Sequence, residues 1–322
     1  MTASQRSPTT PSHKIFLSRR WRDRQAEIAF FLITVLPMLI LLAVVVTLAL
    51  RSWPILQANS IGELLGGRIW KPLQGKFGFY PFIIGTVWVT VLSLILAVPP
   101  SLLTAIYLAE YSRPRTAAIT KPLLDLLAGI PSVVYGVWGM VVIVPWVQRI
   151  SPIIMRQFGF IPLLKSDNPT GFSLLSGGLV LALMIVPFII AVTYEVLRTV
   201  PEGSRQASLA VGATKWQTIR YSVLPQSLPG IVAGVILGAS RALGETMAVL
   251  MVVGNVAKVP GSIFDPAYPL PALIANNYGE MMSIPLYDSA LLGAALVLLL
   301  IVLFFNILST LTLRHIIRRL PR

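Results

Sequence analysis

The sequence predicts an all-α membrane protein with six transmembrane helices and both termini cytoplasmic. Three observations predict it. Only 12% of the 322 residues are charged, about half the roughly 25% of a soluble domain. Six apolar stretches are each long enough to cross about 30 Å of hydrocarbon as a helix. Lysine and arginine are unevenly shared between the segments that join them, which is how basic loops held on the cytoplasmic side are recognised.

The apolar stretches run over residues 28–50, 81–107, 123–147, 174–197, 230–256 and 289–313. Several contain a helix breaker, among them Pro37, Pro99, Pro131, Pro187 and Gly244. Breakers are tolerated in a membrane where neighbouring helices satisfy the freed backbone groups. The first stretch exceeds the apolar core of a signal peptide, and no small-x-small cleavage site follows it, so it is expected to be a retained helix. With the N-terminus inside, the inside segments hold six, three, four and four of the 26 lysines and arginines, and the outside segments four, three and one. The last, Arg241, lies within a span.

This organisation divides the chain into a basic cytoplasmic tail (1–25), a transmembrane domain (26–313) and a second basic tail (314–322). The outside loops, 51–80, 148–173 and 257–288, are rich in proline, glycine and aromatic residues and are expected to form compact caps. Residues 153–164 are apolar but too few to cross, so an interfacial segment is expected there. No internal repeat at fixed spacing is visible.

The net charge of +14 sits in short segments between apolar runs. The basic clusters lack the interleaved aromatic residues of single-strand binders, so the expected partner is the lipid bilayer and not nucleic acid. There are no cysteines, which excludes disulfides and thiolate chemistry. His13 and His315 stand far apart with no carboxylate at ligand spacing. No cofactor, metal or catalytic group is expected.

The inside loop 198–229 is the most informative segment. Thr199 and Glu202 have capping-box spacing, as do Thr214 and Gln217. Pro201 suits a first helical turn, Gly212 a helix stop, and Pro225 the end of a second helix. The expectation is helix, sharp glycine turn, helix, with Ala207, Ala210, Val211 and Trp216 as an apolar ridge for a groove on a partner. A plain surface linker is the alternative.

The fifth stretch carries Arg241 and Glu245, four residues apart and therefore on one face of a continuous helix. Charged residues at mid-bilayer cost roughly 2.5–3.5 kcal/mol each on insertion scales, so both should face the bundle interior or a wet cavity. They form either a structural ion pair or the charged lining of an anion route, for which a guanidinium fork is suited. Ser132, Tyr135, Thr86 and Thr90 either add neutral donors to that route or bond helix to helix.

The loop resembles the one shared by ABC importer permeases, Glu-Ala-Ala, three residues, Gly, nine residues, Ile-x-Leu-Pro. Ala207 matches the first alanine, Gly212 the glycine and Leu224-Pro225 the ending. Gln206, Ser208 and Ser222 depart from it. Three further stretches resemble phosphate importer permeases: Arg241-Ala-Leu-Gly-Glu-Thr-Met-Ala-Val249, Leu127-Ala-Gly-Ile-Pro-Ser-Val-Val-Tyr-Gly136, and Ala97-Val-Pro99 with Ala105-Ile-Tyr-Leu-Ala-Glu-Tyr111. Trp70-x-Pro72, Phe77-Gly78 and Met247-Ala-Val249 are similar to the PstC type.

The resemblance implies the type I, MetI-like permease architecture in a bacterial inner membrane. It implies a non-enzymatic transport subunit with Arg241 and Glu245 on the phosphate route. Gln206, Ala207, Ser208, Gly212, Leu224 and Pro225 would form the ATPase-coupling loop. It further implies a second permease subunit of the PstA type, a pair of ATPase subunits and a periplasmic phosphate-binding protein. The sequence has no Gly-x-x-x-x-Gly-Lys-Ser/Thr phosphate cradle, so if transport is ATP-driven, hydrolysis is expected on another polypeptide. The competing expectations are a permease for sulfate or molybdate, and a secondary transporter without ATPase partners.

Overall fold

The computed structural model describes residues 13–280 and 284–319. The expected tails therefore lie outside the described residues up to 12 and from 320. The chain divides into two units, 1–51 and 52–322. The first unit consists, where described, of the greater part of helix α1 (His13–Ala58). From Asp23 to Arg51 its side chains are almost all exposed, Phe30, Leu39 and Leu42 among them. A helix apolar on every side is built for lipid or for a buried setting.

Among its described residues the second unit is mainly helical, with one short hairpin. After α2 (Ile61–Gly66), capped by a Ser60–Glu63 capping box, strands β1 (Trp70–Lys71) and β2 (Lys76–Phe77) pair antiparallel. Helix α3 (Tyr80–Ile106) ends in a π-helical turn, Tyr107–Tyr111. Then come α4 (Pro114–Gly129), α5 (Ser132–Trp138), a π turn at Gly139–Ile143, and α6 (Val144–Phe158). Helix α7 (Leu174–Thr199) leads to α8 (Glu202–Ala210) and α9 (Lys215–Thr218). A third π turn, Ile219–Val223, joins α9 to α10 (Leu224–Leu243). The chain continues through α11 (Met247–Leu250), α12 (Leu270–Asn277) and α13 (Tyr287–Arg319).

Among the described residues six helices are long and apolar enough to cross a bilayer: Asp23–Ala58, Tyr80–Tyr111, Ser132–Phe158, Leu174–Thr199, Lys215–Leu243 and Tyr287–His315. Two of the expected stretches are corrected. The third is broken at Ile130, because the residue before a proline is pushed out of the helical region; Ile130 is extended at φ −64°, ψ 130°. The Tyr135 hydroxyl donates to the Leu127 carbonyl across this break, at 2.8 Å. The fifth starts at Lys215 and stops at Leu243, before the apolar run ends. Pro225 does not end a helix. The wider π turn just before it takes the strain that a proline ring imposes on the carbonyl one turn back.

Helix α7 is the axis of the fold. Its residues Leu181, Met184, Ile185 and Ile189 are buried in a core completed by Val89 and Ala97 of α3 and by Ala242 and Val249. The approach of α10 to α7 rests on a glycine every fourth residue. A Cβ on Gly230, Gly234 or Gly238 would stand 2.4, 2.9 and 2.9 Å from Val196, Val192 and Ile189. Small residues at this spacing let two backbones pack closely where lipid supplies no hydrophobic drive.

The loops expected outside are compact where described. The Trp70 ring lies 5.5 Å from Phe77, 6.0 Å from Phe79 and 5.1 Å from Phe82. Ile55, Leu64, Leu270 and Tyr287 complete this aromatic cluster. The other two loops are stitched together where Asn168 donates to Phe264 O (2.9 Å) and Ser166 to Asp265 (2.5 Å). Residues 153–164 carry no seventh span: α6 ends at Phe158 and a 3-10 turn follows at Pro162–Leu164.

Gly234→Leu should separate α10 from α7 and cost about 1–3 kcal/mol, read as a lower melting temperature in detergent. Gly62→Ala, where an added Cβ meets nothing within 4 Å, should leave it unchanged.

Candidate functional site

Two places depart from regular helix in a way that invites chemistry. The first is the turn between α8 and α9. Val211 and Gly212 close α8, and Gly212 sits at φ +87°, the left-handed conformation that an L side chain resists. The Gly212 and Ala213 amides donate to Leu209 O and Ser208 O at 3.0 and 3.3 Å. Thr214 then opens α9 with the expected capping box: Gln217 N–H donates to Thr214 Oγ1 (3.3 Å) and Thr214 N–H to Gln217 Oε1 (2.8 Å). The helix–glycine–helix hook is thus present.

The capping box expected at Thr199 is not. Its hydroxyl donates back to Val196 O at 2.7 Å, and α8 begins after Pro201 with no side-chain cap. Threonine late in a helix bonds its own preceding turn instead.

The hook offers an exposed edge. Gln206, Ala207 and Gly212 are exposed, as are Leu209, Val211, Trp216 and Tyr221. Ser208 faces inward, its hydroxyl 3.0 Å from that of Thr218, and Ser222 donates to Ser204 O at 3.3 Å. Leu224 and Pro225 are half-buried at the foot of α10. These bonds lock the two arms together.

The second place is the end of α10. The helix stops at Leu243, with Gly244 as its cap. Glu245 N–H donates to Ala242 O (3.3 Å), and Glu245 Oε1 accepts from Ala248 N–H (3.2 Å) at the start of α11. Arg241 and Glu245 therefore do not share a helix face, and the expected i,i+4 pair is corrected. Glycine at 244 ends the helix between them, and the carboxylate turns to the next backbone segment. Among the described residues no carboxylate lies within 4 Å of Arg241. Its guanidinium is exposed, with its carbon 5.9 Å from the centre of the Phe188 ring of α7.

Helix α5 packs against the segment beyond the break. A Cβ on Gly136 would come within 2.7 Å of Met251 Sδ and 3.1 Å of Ala248 Cα, so two of the motifs singled out by sequence meet at a glycine. Beyond α11, Gly254 and Asn255 both have positive φ, and Asn255 Nδ2 donates to Leu250 O at 2.8 Å. Thr86 and Thr90 do structural work: Thr86 donates to Phe82 O and accepts from the Leu270 amide, and Thr90 donates to Thr86 O. Ser240 donates to Asn306 of α13 at 2.9 Å.

One group is not anticipated from sequence. Arg205 of α8 donates to Glu110 Oε1 at 2.8 Å, and both side chains are largely buried, 15% and 8% exposed. The signal available is Glu110 itself, a carboxylate closing an apolar stretch. Beside this pair, a cavity of about 1140 Å³ opens between α4, α7 and the hook, with Lys121, Glu195 and Arg198 on its walls. Glu195 accepts a hydrogen bond from Lys121 and holds its ammonium above the usual lysine range.

The family profile described as "Binding-protein-dependent transport system inner membrane component" matches residues 101–322. A Mesorhizobium japonicum protein named phosphate transport system permease protein PstC is 38% identical over 272 residues, covering 83% of this chain and 82% of the relative. A Haemophilus influenzae protein of the same name is 35% identical over 311 residues, covering 94% and 96%. Two solved structures share the fold. One is a bacterial ABC transporter involved in the import of the acidic polysaccharide alginate, with TM-score 0.57, 17% identity, and 91% of this chain and 98% of that one covered. The other is the MetNI methionine ABC transporter in inward-facing form, with TM-score 0.52, 19% identity, and 72% and 93% covered.

Thr214→Ala should remove about 1 kcal/mol of capping. The Gln217 and Thr218 amides should then exchange about fivefold faster by hydrogen–deuterium exchange.

Proposed function

The chain belongs to the family of binding-protein-dependent transport system inner membrane components, and we infer that it is the PstC-type, membrane-spanning subunit of an ATP-driven phosphate importer. The observation that carries the phosphate reading is Arg241. In relatives named for phosphate transport the similarity reaches 94% of this chain, and here a guanidinium stands at an interrupted membrane helix with no carboxylate partner among the described residues. A planar fork of donors in a low-dielectric setting fits a tetrahedral oxyanion. Interrupted helices near the bilayer midplane are where transporters place their substrates.

In this reading Arg241 lines the route and its charge attracts phosphate. Glu245, bound to the α11 backbone, sets the negative limit of the site, so that the anion passes without being held. The subunit performs no chemistry; hydrolysis takes place on a pair of ATPase subunits. The hook around Gly212 lies on the cytoplasmic face, with both termini, and seats in a groove on an ATPase subunit. Its exposed Leu209, Val211 and Trp216 supply the apolar contact. A PstA-type permease supplies the other half of the route. A periplasmic phosphate-binding protein docks on the opposite caps, and the whole sits in the bacterial inner membrane. Family membership sets aside the secondary transporter.

Three experiments test this. Gly212→Pro should insert normally and abolish phosphate uptake by the reconstituted complex, because proline cannot adopt φ +87°; uptake at the normal rate would defeat the hook. Arg241→Gln should lower phosphate uptake at least tenfold while ATPase subunits still co-purify. If unlabelled sulfate displaces phosphate from the intact transporter as well as phosphate does, the substrate assignment is wrong.

A further inference from the structure

Arg205 is bound more fully than a hook residue needs to be if the hook were only a docking surface. One terminal nitrogen donates to Val200 O at 2.5 Å. The other donates to Leu197 O at 2.9 Å and to Glu110 at 2.8 Å. Leu197 lies in the last turn of α7, whose carbonyls have no intrahelical partner, and Val200 is the extended residue that caps it. Glu110 belongs to the π turn that ends α3. That turn holds one residue more than an α turn, which rotates the chain beyond it by about 100°; π turns of this kind gather at functional sites. A single guanidinium on α8 thus ties the ends of α3 and α7, two of the helices that build the central core.

The pair is also costly to break. Loss of Arg205 would leave Glu110, 8% exposed, as an uncompensated buried charge, whereas Arg205 has a second, exposed carboxylate, Glu202, at 3.7 Å. Surface pairs such as Lys121–Glu195, with both side chains 55% exposed, carry no such constraint. From α7 the connection continues by contact: Phe188 lies beneath Arg241, and α10, which bears Arg241, is seated on α7 through its glycines.

We propose that Arg205, held by Glu110, is the positioning residue that passes displacement of the hook into α3 and α7 together, so that ATPase movement and phosphate movement stay coupled. This rests on the reading of the chain as an importer subunit. Without the tie, α8 would follow the motor while the membrane helices lagged behind it.

The test is made on the complete transporter in liposomes, with the binding protein present. Wild-type protein is measured first: failure to assemble with ATPase subunits or to take up phosphate would defeat the importer reading itself, separately from this proposal. In Glu110→Gln and Arg205→Gln, ATPase subunits should still co-purify and basal ATP hydrolysis should persist. Phosphate moved per ATP hydrolysed should fall at least about fivefold, the lower range of a typical coupling effect. Glu110→Asp should restore part of the ratio. The proposal is overturned if that ratio stays at the wild-type value, or if both variants fail to assemble, which would make the pair a folding element only.

Discussion

The structure depends on one constraint: in hydrocarbon, every backbone N–H and C=O must find its partner within the protein. Regular helix meets this automatically, so each interruption must be met by named groups. At Ile130–Pro131 the tyrosine of α5 reaches the exposed carbonyl of α4. At Gly244 the carboxylate of Glu245 accepts from the Ala248 amide in the first turn of α11. At the end of α7 a guanidinium covers two carbonyls. These solutions place the charged and polar side chains of the chain where they are. Glu245 faces α11, where it accepts from the Ala248 amide, and among the described residues no carboxylate lies within 4 Å of Arg241.

The same logic unites the hook with the core. Arg205 and Glu110 are 95 residues apart in sequence, yet their contact makes the turn around Gly212 continuous with the helices that carry the apolar core. The hook is stiffened internally by the Ser208–Thr218 and Ser222–Ser204 contacts. Stiffness suits the coupling role proposed for the hook, because an element that bends absorbs the displacement it should transmit.

Much of this is legible in the amino-acid order. Composition and hydropathy reveal the six spans, because hydrocarbon thickness imposes their length. The hook is legible because glycine, threonine and glutamine at those spacings have few other uses. The departures share a cause. Residues 230–256 look like one helix because apolar content does not register a break; Gly244 is a recognisable breaker, but nothing local says whether a breaker is tolerated or obeyed. Pro225 looks like a stop because a π turn has no signature in residue spacing. The Arg205–Glu110 contact is invisible for a different reason. A pairing between two segments joined only through the membrane is set by tertiary packing, and each residue alone looks like an ordinary loop charge.

The glycines of α10 carry a consequence for motion. Gly230, Gly234 and Gly238 present notches to Val196, Val192 and Ile189, and the notches recur every four residues, about 6 Å along the axis. Between notches the surface of α10 is broader, so a partial slide drives methyl groups into bulk, whereas a tilt about the seam keeps each tooth in its recess. The seam therefore acts as a detent: by its shape it resists slippage of α10 along α7 more than rocking about the line of contact.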